Sequence, residues 1–332
     1  MKKSLGHWVP QTYLNRFAID PLVKHPKIFK YRKNGKIFPD NISKVASKKN
    51  FYIFTDKKTK EESADLENAF SQLEGEYKIS SDKLLLNKNF NKFENRDRAV
   101  MSEFLAYSFV RTPAFIDRIR TLVLEVFKLH ILADNEKEKT QLFEKLKKEF
   151  PAMTDDEAIK NINEFYSNTD QLKLKGGKWY FLKMALRQST LLKKMAYEKK
   201  WHILIAEGND FFITSDNPLV IQASRDFPVL QNAGFMNGTI ILTLSPKIAL
   251  LLRNNPSLSD VINLTKDQVD SVNKSVMKNS DDCIFSNINS EQLLSDYLSV
   301  LKDRKEAVTV RKHKFAPYVF MQSRSHFDKE IF

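Results

Sequence analysis

The alternation of apolar and polar positions divides the chain into three stretches. Residues 1–60 show the two-residue period of short strands. Between residues 61 and 199, apolar side chains recur every three or four positions, which predicts helices almost throughout. In residues 200–332 the two periods alternate. The pattern predicts an α+β protein with a helical middle region, a small basic N-terminal β-sheet and a C-terminal mixed α+β layer that could pack with residues 1–60 as one domain.

Turn and capping residues predict where several elements begin and end. The pair Asn34–Gly35 lies between two apolar runs and predicts a β-hairpin with a type I′ turn, because both residue types accept positive φ angles. Pro113 interrupts a long helical pattern and is expected to divide it after Thr112. Thr154 and Thr265 begin sequences with capping-box spacing, which predicts two further helix starts.

A polar elbow, Thr-Ser-Asp-Asn-Pro, interrupts an apolar stretch in the C-terminal layer. Its flanks, Phe211–Ile213 and Leu219–Val220, are typical of buried strands, so the elbow is predicted to be the turn between them. Pro218 should end any strand pairing there. We expect Asp216 to lie at a strand end, where α/β proteins often place catalytic residues.

Composition narrows the class of protein. The 332-residue chain is 42% apolar, and its one cysteine, Cys283, excludes an internal disulfide framework and favours a reducing compartment. No apolar run is long enough for a signal-peptide core or a membrane span. These features predict a soluble cytoplasmic protein with no membrane partner.

The net charge of +13 is concentrated near the two ends of the sequence. Residues 1–60 hold 15 basic side chains against three Asp, and residues 301–332 hold eight against four acidic ones. Such an excess fits a polyanion such as nucleic acid, although a Lys-rich composition without any partner would give the same count. The predicted nucleic-acid-binding residues are those of the hairpin: Lys30, Arg32, Lys33 and Lys36.

Charged residues occupy unexpected positions in two helical patterns. Glu67 and Glu74 fall two turns apart on the flank of one apolar stripe, where they could bind a divalent metal, pair with arginine, or simply mark the edge of the core. Arg111 follows a helix that is apolar on nearly every face, so it needs a carboxylate partner. That partner could be Glu103, Glu67 or Glu74, in either a structural ion pair or a ligand site.

His7 completes the set of candidate residues. It precedes a Trp-Val-Pro turn, where a histidine is commonly a hydrogen-bonded structural residue, but together with Asp216 it would supply a base and a carboxylate. We therefore expect the His7 segment and the Asp216 elbow to be neighbours in space. Phosphate-binding glycine loops, CxxC pairs, HExxH and nucleophile elbows are all absent from the sequence, which disfavours the familiar enzyme classes.

Five motifs occur in this order along most of the chain: His7-x-x-Pro10-x-x-Tyr13-Leu14-x-x-Phe17, Phe51-Tyr52, Leu66-Glu67 to Glu74, Arg111-Thr112-Pro113 and Phe212 to Pro218. In these motifs the chain resembles the bacterial family catalogued as domain of unknown function number 4238. The resemblance implies a soluble prokaryotic protein, with some family members linked to defence against phage and no settled chemistry. The residues that stand out physically fall within the same motifs.

Three classes of function remain open. The first is a metal-assisted hydrolase or nuclease, with Mg²⁺ or Mn²⁺ held by Glu67, Glu74 and Asp216, His7 as base or ligand, and Arg111 steadying a phosphate. In this hypothesis the catalytic residues are His7, Asp216 and Arg111. The second class is a non-catalytic nucleic-acid-binding or sensing module. The third is a protein-interaction domain.

Overall fold

Strands and helices are arranged along the chain as the predicted α+β class requires, which confirms that prediction. The structure is a computed structural model that describes residues 5–55, 62–132, 136–167, 178–223, 235–254, 258–303, 309–313 and 316–320. Its strands are β1 (Leu5–His7), β2 (Lys27–Arg32), β3 (Ile37–Asn41), β4 (Ser47–Lys49), β5 (Phe54–Thr55), β6 (Glu62–Ser63), β7 (Lys200–Ala206), β8 (Thr214–Ser215), β9 (Val220–Ala223), β10 (Gly238–Ser245), β11 (Ile248–Arg253), β12 (Val261–Leu264), β13 (Cys283–Ser286), β14 (Thr309–His313) and β15 (Ala316–Phe320). Its helices are α1 (Gln11–Leu14), α2 (Asp65–Asn87), α3 (Asn95–Val110), α4 (Pro113–Leu132), α5 (Glu136–Glu149), α6 (Asp155–Ser167), α7 (Lys178–Arg187), α8 (Ser189–Glu198), α9 (Lys266–Asn279) and α10 (Glu291–Lys302).

Two sheets organise the fold. The larger has the strand order β12-β7-β11-β10-β9 and is antiparallel except for the β12–β7 pair. The smaller has the order β3-β2-β13-β8 and is antiparallel throughout. The N-terminal hairpin therefore shares a sheet with strands from the last third of the chain, which brings the first and third stretches together.

The larger sheet is buried on both faces because its strands are apolar at consecutive positions. Ile240 and Leu242 pack in a cluster with residues of α2, α3 and α8. Ile241 and Leu251 point the other way and pack with residues of α9 and α10. The sheet is thus the middle layer of the core. None of the helices in the described ranges is long and apolar enough to cross a membrane.

Local sequence signals place several helix boundaries correctly. α3 ends at Val110 and α4 begins at Pro113, as the proline predicted. The backbone N–H of Thr154 donates to the Glu157 carboxylate, and the N–H of Glu157 donates to the Thr154 hydroxyl. Thr265 forms the same kind of capping box at the start of α9. Both predicted capping boxes are confirmed.

The predicted β-hairpin is confirmed, but its type I′ turn is wrong. Gly35 has a φ of +80°, whereas Asn34 is not among the described residues with positive φ. The N–H of Gly35 donates to the Arg32 carbonyl (2.9 Å), and the N–H of Arg32 donates to the Lys36 carbonyl (2.9 Å). These bonds close a three-residue loop in which only the glycine needs a left-handed conformation.

The prediction for the elbow is also wrong in one respect. Residues Thr214–Ser215 form strand β8 themselves, while Phe211–Ile213 lies outside any strand. The side chain of Asn273 replaces a strand partner there. Its carbonyl oxygen accepts from the N–H of Ile213 (3.0 Å), and its amide donates to the Phe211 carbonyl (2.8 Å). An apolar run therefore satisfies its backbone without pairing in a sheet.

Candidate functional site

A polar cleft lies between the N-terminal segment and helix α2. Its volume is about 270 Å³, and we call it the His7 cleft. The residues lining it are Leu5, His7, Gln11, Tyr52, Glu67, Asn68, Phe70, Ser71 and Glu74. Three of the predicted site residues, His7, Glu67 and Glu74, therefore come together in one place.

Helix α2 contributes one wall of the cleft. Glu67, Ser71 and Glu74 follow a spacing of four and three residues, which places them on one face of the helix. The adjacent positions Phe70 and Tyr77 are buried in the core. The polar residues face the cleft because the apolar stripe beside them fixes the rotation of the helix.

His7 enters the cleft from β1, and two features hold it there. Strand β1 pairs with β4, and His7 Nε2 donates to the carbonyl oxygen of Ser43 (3.0 Å). Burial lowers the pKa of His7 below its ordinary 6.5, although the Ser43 and Leu5 carbonyls and the Glu74 charge oppose this effect. With Nε2 carrying a hydrogen, Nδ1 of the neutral ring is the atom that can accept a proton.

Arg111 lies behind Glu74 and is 1% exposed. Its Nη1 donates to Glu74 Oε1 at 3.0 Å, and its guanidinium lies 5.0 Å from the centre of the Phe70 ring. Glu103, the alternative partner, bonds to Lys193 instead. The prediction of a buried arginine paired with a carboxylate is therefore confirmed. Among the described residues, Arg111 Nε and Nη2 have no hydrogen-bond partner.

Asp216 does not line the cleft. Its Oδ1 accepts from the N–H of Asp281 (2.7 Å), and its Oδ2 accepts from the N–H groups of Asp282 (2.7 Å) and Cys283 (3.2 Å). Burial raises the pKa of Asp216 to about 6, and the N–H donors oppose that rise. The structure does not bring this carboxylate to Glu67 or Glu74. Its oxygens instead bind the turn before β13.

The His7 segment and the elbow are nevertheless neighbours. The indole N–H of Trp8 donates to the backbone carbonyl of Asp216 at 3.1 Å, across 208 positions of sequence. The expected proximity of the two segments is confirmed at this contact. The contact joins the Trp8 side chain to the backbone of the elbow, while the His7 ring lies in the cleft.

The basic hairpin lies beside the Asp216 turn and outside the cleft lining. Arg32 and Lys33 both approach the carboxylate of Asp282, at 3.2 and 3.5 Å. Lys30 Nζ is 5.9 Å from the centre of the Phe38 ring. Lys36 is exposed. Two of the four predicted nucleic-acid-binding residues therefore have an acidic neighbour within the protein.

Four polar residues of the cleft were missed by the sequence analysis: Gln11, Tyr52, Asn68 and Ser71. Ser71 could have been found, because it lies between the two glutamates on the same helical face. Tyr52 donates a hydrogen bond to the Arg111 carbonyl (3.4 Å), and burial raises the pKa of its hydroxyl. Within the described ranges, no three His, Cys, Asp or Glu side chains are grouped to hold a metal ion.

Replacing Gly6 with alanine is expected to disturb the cleft. A Cβ at this position would lie 2.9 Å from Phe51 Cβ and 3.0 Å from Tyr52 Cδ2, closer than carbon atoms normally approach. We expect Gly6→Ala to lower the free energy of unfolding by about 1–3 kcal/mol in urea denaturation. Gly75→Ala is the matched control, because its Cβ would meet nothing within 4 Å and should stabilise α2 by about 0.5–1 kcal/mol. Equal effects at the two glycines would contradict the close contact at Gly6.

The fold and the cleft define an α+β protein with a histidine and two glutamates at one polar cleft and a buried arginine paired with one of those glutamates. The chain belongs to the family described as protein of unknown function (DUF4238), whose profile matches residues 6–290. The match includes the elbow and every residue of the cleft lining except Leu5. No curated protein and no solved structure matches the chain.

Proposed function

We propose that this protein is a metal-assisted hydrolase of the cytoplasm that cleaves phosphodiester bonds of nucleic acid in the His7 cleft. One observation carries the proposal. The cleft combines a neutral histidine with two carboxylates, and behind Glu74 lies a buried arginine with two nitrogens, Nε and Nη2, that have no hydrogen-bond partner among the described residues. General bases, metal-binding carboxylates and phosphate-binding arginines are the groups that phosphodiester hydrolysis uses.

Each group has a role in this reaction. A water molecule adds to phosphorus and His7 Nδ1 accepts the proton of that water. The bond between phosphorus and the leaving oxygen breaks, its electron pair stays on that oxygen, and the oxygen takes a proton from solvent to leave as a hydroxyl. Arg111 stabilises the negative charge that develops on the phosphate. Asp216 takes no part as a ligand in this scheme, because its oxygens already accept three N–H groups.

A divalent cation is needed because Glu67 and Glu74 would otherwise repel a phosphate. Mg²⁺ commonly binds through one or two carboxylates, several waters and the phosphates of its substrate, without a complete protein cage. A cleft with two glutamates is compatible with this mode. Mg²⁺ or Mn²⁺ would then be held between a glutamate and the substrate.

The test is a cleavage assay on single-stranded DNA, duplex DNA and RNA with Mg²⁺, Mn²⁺ or EDTA. We expect metal-dependent cleavage that falls by about 10²–10⁴-fold in His7→Gln, the range expected for loss of a general base. Glu67→Gln should also lose activity. Glu76→Gln is the control, because Glu76 is on α2 but outside the cleft lining. No cleavage with either metal, or full activity in His7→Gln, would contradict the proposal.

A second candidate is a non-catalytic nucleic-acid-binding or sensing module, supported by the exposed Lys33 and Lys36 at the hairpin. Binding to duplex DNA should then weaken with salt, with a log–log slope of roughly −0.9 per phosphate neutralised. Neutralising all four hairpin cations should flatten the slope, whereas Glu67→Gln should not. Binding without cleavage would favour this module. Absence of both would favour a protein-interaction domain.

Cleavage of foreign nucleic acid would provide the role in defence against phage that the family resemblance implies. The corresponding test compares phage infection of cells that express the wild type or His7→Gln. Protection only by the wild type would support the role, and equal infection would contradict it.

A further inference from the structure

The indole of Trp8, the residue that follows His7, connects the segment containing His7 to Asp216 by a hydrogen bond. We propose that Asp216 is a positioning residue for His7, which it holds in the cleft through the hydrogen bond from Trp8 to its backbone carbonyl. The inference rests on the proposed function for the role of His7 as a base. In this inference the polar elbow supports the site and takes no part in its chemistry.

Hydrogen bonds hold the backbone carbonyl of Asp216 in a fixed position. The residue follows β8, which pairs with β13, and its own N–H donates to the Cys283 carbonyl (3.2 Å). Its carboxylate closes the turn before β13 with three further bonds. Next to it, Asn217 donates to the Asn279 carbonyl (3.0 Å), and Asn279 donates back to the Asn217 carbonyl (2.6 Å). Bonds on both sides therefore hold the elbow in place.

Trp8 links the hydrogen-bonded elbow to the segment that contains His7. Its backbone N–H donates to the Ala46 carbonyl (3.0 Å), next to the β1–β4 pairing that includes His7. Its ring centre is 5.5 Å from that of Phe51, whose ring in turn meets Tyr52 edge-on at 4.9 Å. Trp8 is thus next to one cleft residue, His7, in sequence and is linked to another, Tyr52, through the Phe51 ring.

The other two tryptophans of the chain provide matched comparisons. The indole N–H of Trp201 donates to the Ala196 carbonyl, and that of Trp179 donates to the Ile53 carbonyl, both at 2.9 Å. Trp201 packs against Phe93 and is not one of the residues that line the cleft. Replacing Trp8 or Trp201 with phenylalanine therefore removes the same kind of bond, in one case at the cleft and in the other away from it.

The experiment measures the pKa of the His7 imidazole by NMR titration of the whole chain. Burial lowers this pKa in the wild type, so His7 should titrate below 6.5. Trp8→Phe should let the histidine become more hydrated and move its pKa up toward 6.5. Trp201→Phe should leave it unchanged. Asp216→Glu is a second variant, and it should move the His7 pKa in the same direction as Trp8→Phe because the longer side chain displaces the elbow.

The possible outcomes separate this inference from the proposed function. A folded Trp8→Phe variant with the wild-type His7 pKa would overturn the positioning role, even if the protein cleaves nucleic acid. A raised His7 pKa in a protein without any cleavage would support positioning and contradict the hydrolase. If Trp201→Phe moves the His7 pKa as much as Trp8→Phe, the effect is general loosening and the positioning role is overturned.

Discussion

Replacing Asp216 with alanine is expected to lower the free energy of unfolding by about 4 kcal/mol. The change leaves three backbone N–H groups, those of Asp281, Asp282 and Cys283, without an acceptor at a site where Asp216 is 5% exposed. Each unsatisfied buried group costs about 1–3 kcal/mol. Urea denaturation followed by circular dichroism measures the loss.

The matched control is Ser215→Ala in the same elbow. Within the described part of the chain, the Ser215 hydroxyl accepts one N–H, that of Asn217 (3.2 Å), so its removal should cost about 1 kcal/mol. A similar loss for both variants would show that the Asp216 carboxylate is no more important than any other acceptor in the elbow.

The stability difference between wild type and Asp216→Ala should also depend on pH. Burial raises the pKa of Asp216 from 3.8 to about 6, so the folded state favours the protonated carboxyl. The resulting contribution to stability is complete below about pH 4 and is lost as the pH rises through about 6. The difference should therefore be larger at pH 4 than at pH 7. A larger difference at pH 7 would show that the N–H donors outweigh burial.

The second large effect is expected for Arg111→Ala, which should cost about 3 kcal/mol. The change removes the partner of Glu74, whose side chain is 19% exposed, and leaves a cavity against Phe70. Thermal and urea unfolding measure the loss. A stability equal to that of the wild type would show that the guanidinium contributes nothing to the fold.

A double substitution separates the contribution of the ion pair to stability from the contribution of the volume that its side chains fill. Arg111→Met with Glu74→Gln removes both charges and restores most of the volume, so it should be less destabilising than Arg111→Ala alone. Lys193→Ala provides the surface comparison, because it breaks the half-exposed pair with Glu103 and should cost less than about 1 kcal/mol. A larger loss in the double variant would mean that the ion pair itself stabilises the core.

Much of the His7 cleft could be predicted because its parts follow local rules. Glu67 and Glu74 share a helical face whatever the rest of the chain does, since the periodicity of α2 sets their direction. The need of Arg111 for a carboxylate followed from the apolar helix that precedes it. Which carboxylate it would meet did not follow, because Glu74 is 37 positions away and Glu103 was equally available from the sequence.

The role of Asp216 shows where local reasoning fails. A short run of Thr, Ser, Asp and Asn is equally compatible with an exposed catalytic turn and with a buried hydrogen-bonded one. The bonds that decide between them come from Asp281 and Asp282, 65 and 66 positions later. Their N–H groups carry no signal in the sequence, because every residue except proline has one.

The sequence by itself determined the α+β class, the division at Pro113, the capping boxes and the helical face of Glu67 and Glu74, because each depends on residues a few positions apart. Only the tertiary structure decided that the N-terminal hairpin shares a sheet with β8 and β13, that Arg111 pairs with Glu74, and that Asp216 binds a turn while Trp8 joins it to the His7 segment. These contacts join distant segments. Their partners are chosen by the packing of whole layers, which no single stretch of sequence encodes.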